Sequence, residues 1–171
     1  YQVTQVDTPI ASDGYIIVKD LEENDKKIRI QRIQIEEDTG KSLHDGGEFA
    51  YLDYNRSGAT LIEIVSYPDI NSPEEAKEFL TKLRNTLRFL EISDGKMEEG
   101  SLRCDVNVNV IDEKNIKKSS IIEVKNVGSI SAVGKVIEYE ANRQIELLEK
   151  NEIEVRSTRR WDDEVNETVL M

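Results

Sequence analysis

Leu102-Arg103-Cys104-Asp105-Val106-Asn107-Val108-Asn109-Val110-Ile111 alternates between apolar and polar residues almost without a break. Successive side chains of a strand point to opposite faces, so Leu102, Cys104, Val106, Val108 and Val110 are expected on a covered side. Arg103, Asp105, Asn107 and Asn109 then form a polar row on the other side, which can serve as the floor of a binding site or simply face water. Cys104 falls on the apolar side and reads as an inert core thiol.

Downstream, Ile121 to Val127 reads as another strand and Ala132 to Lys150 as an amphipathic helix burying Val133, Val136, Ile137, Ile145 and Leu148. Val155 to Arg160 opens a final hairpin. Upstream, Ser72-Pro73-Glu74-Glu75 is a helix start: serine caps, proline takes the first helical position and Glu75 closes a capping box. Phe79, Leu80, Leu83, Leu87 and Leu90 follow at helical spacing, with Lys77, Lys82, Arg84 and Arg88 expected in water. Before this helix, Tyr15 to Lys19 and Ile28 to Glu37 read as strands around a charged turn. Ile28 and Ile30 have one parity and Ile33 and Ile35 the other, which favours a bulge between them. Phe49 to Asn55 and Ala59 to Ser66 are read as two more strands, joined through Arg56-Ser57-Gly58. The order of elements predicts an α+β domain, with a largely antiparallel sheet and two main helices on one face.

A chain of 171 residues suffices for one core, and its 37% hydrophobic content contains no run long enough to span a bilayer as a helix, so no membrane partner is expected. Cys104 is the single cysteine and His44 the single histidine, which excludes an internal disulfide and any Cys-x-x-Cys or multi-histidine metal cage built from these residues. His44 is read as a surface side chain. The net charge of -12 is opposite to that of a self-sufficient nucleic-acid binder. Tyr1 is no initiator methionine, and Glu167 to Met171 reads as a strand without a closing turn, so both ends are expected to belong inside a longer polypeptide.

Three places could carry chemistry. Glu36-Glu37-Asp38 stands at a strand end before Thr39-Gly40-Lys41-Ser42, and such hard oxygen donors suit Mg²⁺ beside phosphates; a solvated acidic turn is the plainer reading. The Gly40-Lys41-Ser42 tripeptide is not a P-loop, because Ile35 stands where the pattern requires glycine. Glu63 interrupts the apolar run Leu61 to Val65 and needs a partner, a metal or an exposed edge. Arg159-Arg160-Trp161-Asp162 suits stacking or a phosphate, and equally a salt bridge beside a packed indole.

Taken together, Tyr1-Gln2-Val3-Thr4-Gln5, Pro9-Ile10, Ile35 to Lys41, Asp53 to Gly58, Leu61 to Ser66, Pro68-Asp69-Ile70, Lys96 to Asn107, Glu123 to Asn126 and Thr158 to Asp162 resemble, in order, successive blocks of the B subunits of aspartyl/glutamyl-tRNA amidotransferases. The resemblance covers practically the whole chain. It implies a glutamine synthetase/guanido kinase-like fold and a partial catalytic (cradle) domain over residues 1–171, without the family's amino-terminal Glu-x-His segment or its carboxy-terminal helical and tail domains.

The activity the resemblance implies is ATP-dependent amidation of misacylated tRNA through an acyl phosphate, with Mg²⁺ as cofactor. The implied partners are the amidase (A) subunit that supplies ammonia, the small (C) subunit, and the tRNA. By the same likeness Glu37 would be a direct Mg²⁺ ligand and Glu36 an outer one, and Asp105 and Glu63 further metal or nucleotide-site carboxylates, with Glu37, Asp105 and Glu63 as the catalytic set. Arg32 and Arg103 would contact phosphate or the acyl end, and Glu98, Glu99, Asn107 and Lys125 would line the site. The expected compartment is the cytoplasm in a bacterium, or the mitochondrion or plastid in a eukaryote. The competing expectations are a non-catalytic domain that docks amidase and tRNA, and a stand-alone carboxylate-amine ligase.

Overall fold

The computed structural model describes residues 7–44, 49–112, 114 and 117–171, so the opening block Tyr1 to Gln5 lies outside the described residues. In chain order the elements are β1 (Ala11–Lys19), β2 (Asp25–Glu37), β3 (Lys41–His44), β4 (Ala50–Asp53), β5 (Thr60–Ser66), α1 (Pro73–Phe89), β6 (Val106–Val108), β7 (Ile111–Asp112), β8 (Lys117–Lys118), β9 (Ile122–Lys125), α2 (Ile130–Glu149), β10 (Ser157–Asp162) and β11 (Glu167–Leu170). The α+β class is as expected, but among the described residues the strands are distributed over four sheets instead of one. Two compact units result, one of Tyr1–Ile17 with Lys27–Asp69, the other of Val18–Lys26 with Ile70–Met171. No helix among the described residues is long and apolar enough to cross a membrane.

The first unit is organised around β2. Its register against β5 slips between Ile30 and Arg32: Ile30 faces Ser66, while Arg32 faces Val65. Gln31 is therefore the extra residue of a bulge, and the faces of the strand exchange across it. Ile28 and Ile30 thereby come to the same side as Ile33 and Ile35, whose partners are Ile64 and Ile62. Arg32, Gln34 and Glu36 share the opposite side with Val65, Glu63 and Leu61. The strands around Arg56-Ser57-Gly58 do not pair with each other, contrary to the local expectation. β4 pairs with β3, a strand with no clear alternation in the sequence, and β5 pairs with β2. Gly58 has φ +80, and its N–H donates to Asp38 O, so the turn instead closes the far end of the β2–β5 pair.

In the second unit the order β11-β10-β9-β6 contains one parallel pair, β9 with β10, connected through α2; the β6–β9 and β10–β11 pairs are antiparallel. The strand expected from Leu102 to Ile111 is shorter, with Val106–Val108 pairing to β9 and Ile111–Asp112 to β8. Helix α2 packs against β6 and β11 and against α1. Val106, Val108, Ile122, Val124, Val133, Val136, Leu148 and Trp161 are buried in this unit.

Helix α1 begins where local rules place it: Ser72 Oγ accepts from Glu75 N at 3.2 Å. The reciprocal half differs from a capping box, since Glu75 accepts from Asn71 N at 2.8 Å and from Lys26 Nζ at 2.8 Å. Leu90 is exposed at the C-cap instead of buried, and the stem of Arg84, expected in water, packs on Gly95; a Cβ there would lie 2.5 Å from Arg84 Cγ.

Helix α2 buries a polar group where an apolar one was expected. Ile145 is exposed, and Glu140 and Gln144 occupy the inward positions between Val136 and Leu148. The reason is a network. Glu140 accepts from Arg143 Nη2 at 2.6 Å, Gln144 Nε2 at 2.8 Å and Thr168 Oγ1 at 2.9 Å, while Arg143 also pairs with Glu154 and Arg159 donates to Thr168 Oγ1 at 2.8 Å. Burial alone would raise the Glu140 carboxyl above its ordinary value. The hydrogen bonds from Arg143, Gln144 and Thr168 outweigh it and hold the group below 4.5.

Removing one member of this network leaves buried charge behind, so Glu140→Ala should cost roughly 3–5 kcal/mol in urea unfolding. A depressed folded pKa gives stability that is complete above the unfolded value, near 4.5, and is lost as pH falls through the lower folded value. Stability measured against pH should therefore decline less steeply below 4.5 in Glu140→Gln than in wild type. Ser72→Ala, which removes only the cap, should cost about 1 kcal/mol.

Candidate functional site

The bulge at Gln31 gives the first unit a polar row. Arg32 Nε donates to Gln34 Oε1 at 2.9 Å, and Gln34 Nε2 donates to Glu36 Oε1 at 2.9 Å and across the strands to Glu63 Oε2 at 2.6 Å. Glu63, which interrupts its apolar run, thus has a partner. Gln34, only 1% exposed, lies at the centre of the row. Glu37 pairs with Thr60 and by register belongs to the isoleucine side, so the structure brings Arg32, Glu36 and Glu63 together and turns Glu37 to the opposite face.

Asp38, the third acid of the cluster, is buried and serves the turn. Its N–H donates to Ala59 O at 2.8 Å, its carboxylate accepts from Thr39 N at 3.0 Å, and Arg56 Nε lies 3.7 Å from it. His44 ends β3 exposed, 3.1 Å from Ser42 Oγ.

In the second unit the helix-free face of the four-stranded sheet carries the other candidates. Register aligns Asn107, Glu123 and Thr158 in one row, and Lys125 and Arg160 in the next. Lys125 Nζ lies 2.8 Å from Asp105 Oδ2 and 3.3 Å from Glu123 Oε1, and Thr158 Oγ1 donates to Glu123 Oε2 at 3.1 Å. The result is a chain of alternating charge across three consecutive segments, anchored by a hydroxyl. The hydrogen bond to Asp105 raises the Lys125 pKa above its ordinary value, against a smaller opposing effect of burial. Glu98, Glu99 and Arg103 are exposed on the irregular segment before β6, with Glu99 paired to Lys96 at 2.7 Å. Burial pushes the Cys104 thiol up to about 11, which suits an unreactive side chain.

The Arg159 to Asp162 motif divides between the two sides of β10. Trp161 is 1% exposed, donates Nε1–H to Asp163 at 2.7 Å and meets Tyr139 edge-on at 6.2 Å; Arg159 is held by Thr168 and Glu154. Arg160 and Asp162 face the open side, 3.4 Å apart. Gln34, Glu123 and Thr158 are the three residues of these rows that the sequence reading does not single out as site residues. A lone polar residue inside a strand looks like any wet position until the neighbouring strand is known, and the only local signal is that each stands two residues from another member of its row.

Among the described residues no group of three or more His, Cys, Asp or Glu side chains is arranged to hold a metal ion. Mg²⁺ commonly takes one or two protein carboxylates and completes its shell with water and substrate phosphates, so the Glu36–Glu63 pair, joined through one amide nitrogen, fits such an ion in number and in chemistry.

Comparison with known proteins agrees with this arrangement of motifs. Residues 1–171 match the family described as the GatB/GatE catalytic domain. A relative from Finegoldia magna is 52% identical over all of this chain and 36% of its own length, and one from Chlorobaculum tepidum is 51% identical over the same shares. A relative from Caldanaerobacter subterraneus is 50% identical over 95% of this chain and 34% of its own length. All three are named as the B subunit of aspartyl/glutamyl-tRNA(Asn/Gln) amidotransferase, and the chain spans about a third of their length. With a match that runs from the first residue to the last, the chain belongs to the GatB/GatE catalytic domain family.

Proposed function

We propose that this chain forms the ATP-using part of the B subunit of an aspartyl/glutamyl-tRNA amidotransferase, a ligase that converts glutamyl-tRNA(Gln), aspartyl-tRNA(Asn) or both into the amidated form. The observation that carries this reading is the match to B-subunit relatives along the entire chain, one of them at 52% identity. The partners proposed are the amidase (A) subunit, the small (C) subunit and the misacylated tRNA. The compartment proposed is the cytoplasm of a bacterium, or an organelle if the host is a eukaryote.

A side-chain carboxylate is a poor acyl electrophile because its leaving group would be an oxide. In the proposed reaction a carboxylate oxygen of the aminoacyl end attacks the γ-phosphorus of ATP, the bond to the bridging oxygen breaks, and ADP leaves. Ammonia then attacks the acyl carbon, loses a proton, and inorganic phosphate departs with the carbon–oxygen bond electrons. Both steps depend more on positioning and charge neutralisation than on covalent catalysis. Mg²⁺, when bound, would neutralise charge on the β- and γ-phosphoryl oxygens.

On the first unit Glu36 and Glu63 are the proposed carboxylates for that ion, with Arg32 beside them as a guanidinium for phosphate or the acyl end. Glu37, on the opposite side at the end of β2, is proposed as a ligand for an ion at the strand terminus. On the second unit Asp105, Asn107 and Lys125 are proposed to line the site, with Arg103, Glu98 and Glu99 at its approach. Lys125 places an ammonium between two carboxylates on an open sheet face, where it lowers the repulsion an anionic substrate would meet.

The test is ATP-dependent amidation of glutamyl-tRNA by the full-length protein in complex with its partners. Glu37→Ala and Glu63→Gln should each lose more than about 100-fold, beyond the usual cost of altering an outer partner of a metal ligand, while glutamine hydrolysis by the amidase changes much less. Undiminished amidation in both would instead favour the docking-domain reading. Because Asp105 holds the Lys125 pKa up, Asp105→Asn should lower it and increase acylation of Lys125 by an amine-selective reagent at mildly alkaline pH, read by mass spectrometry.

A further inference from the structure

Two carboxylates on adjacent strands repel each other, and a glutamate side chain has enough rotatable bonds to swing away into water. In the first unit Glu36 and Glu63 do not separate, because both accept from one nitrogen, Gln34 Nε2, at 2.9 and 2.6 Å. Two N–H bonds on one planar amide are directed to two anions. The orientation of that amide is set in turn: Oε1 accepts from Arg32 Nε at 2.9 Å, so an end-for-end flip would aim the amide oxygen at both carboxylates and the amide nitrogen at a guanidinium.

The chemistry of this clamp matters. A lysine or arginine at position 34 would gather the same carboxylates but cancel their charge. An amide gathers them without itself cancelling their charge. The backbone of β2 is already paired to β5 through this stretch, and an apolar side chain of similar length would fill a 1% exposed position without the desolvation of an amide. The buried amide is therefore accounted for by what it holds.

We infer that Gln34 is a positioning residue, whose amide, oriented by Arg32, presents Glu36 and Glu63 together as a paired donor for one divalent cation. This rests on the reading of the row as a metal and nucleotide site. Gln34 itself touches neither the ion nor the reacting atoms; it acts through the two glutamates.

The experiment compares wild type, Gln34→Met and the double variant Glu36→Gln/Glu63→Gln in the full-length protein within its complex, with Mn²⁺ binding followed by electron paramagnetic resonance and folding by thermal denaturation. Gln34→Met keeps the length and loses the amide. It should weaken Mn²⁺ binding 10- to 100-fold, the usual cost of losing an outer-shell partner. Amidation lost by Gln34→Met should be restored by raising Mg²⁺, which a merely structural defect would not allow. The double variant should lose binding that excess metal does not restore. Should Gln34→Met fail to assemble, Arg32→Met, which frees the amide to flip, is expected to weaken Mn²⁺ binding in the same direction. If Gln34→Met, or Arg32→Met in its place, binds Mn²⁺ like wild type while the double variant does not, the positioning role is overturned and the metal reading stands. If the double variant also binds like wild type, the metal reading fails and the inference with it.

Discussion

One extra residue in one strand decides what the first unit can do. Without Gln31 inserted between Ile30 and Arg32, the isoleucines of β2 would be divided between the faces of the sheet, two on each. Arg32, Gln34 and Glu36 would then share a side with Ile28 and Ile30, and an anion-bearing row would have to run on from an apolar one. The bulge separates these demands, giving one side four isoleucines from β2 and the other an uninterrupted polar line that meets Glu63 on the neighbouring strand. The apolar and polar side chains of the strand thereby occupy opposite faces, although burial does not follow that division: Gln34 is buried on the polar side while Ile35 is exposed on the other.

In the second unit the same separation is achieved by alternation and by a network. The helix side of the sheet takes Val106, Val108, Ile122, Val124 and Trp161, leaving Asn107, Glu123, Lys125, Thr158 and Arg160 on the other. The helix side is not purely apolar. Glu140 places a full charge there, and the groups that satisfy it come from α2, β10 and β11. A buried acid of this kind makes the docking of α2 specific in position, since a shift along the strands would separate Glu140 from Thr168.

What could be read in the sequence was local, and what could not was who lies beside whom. The start of α1 at Ser72-Pro73 and the bulge in β2 are both inscribed within a few residues, as a cap and as a break in parity. The alternation from Leu102 onward revealed which side chains face together but not how far the pairing extends, because the length of a ladder depends on the partner strand. β4 and β5, adjacent in sequence and joined by a turn that would suit a hairpin, part company for β3 and β2. On α2 the periodicity places Val133, Val136 and Leu148 correctly, but it favours Ile145 over the polar Glu140 and Gln144, which are the side chains that turn inward. The acidic candidates Glu36 and Glu63 were visible as residue types at strand positions. Gln34, which holds them together, was not, because its significance arises only when β5 is laid alongside.

The parallel pairing of β9 with β10 also bears on how the chain comes to be made. A hairpin can zip as soon as both arms have left the ribosome, but β9 must wait for the whole of α2 and the turn after it before Ser157 to Arg160 can reach its open edge. Until then Ile122 and Val124 have only β6 beside them, with half their backbone groups still bonded to water. The second unit therefore matures only after β10 has emerged, and a nascent chain halted anywhere within α2 would present an unpaired, valine- and isoleucine-bearing strand edge to its surroundings.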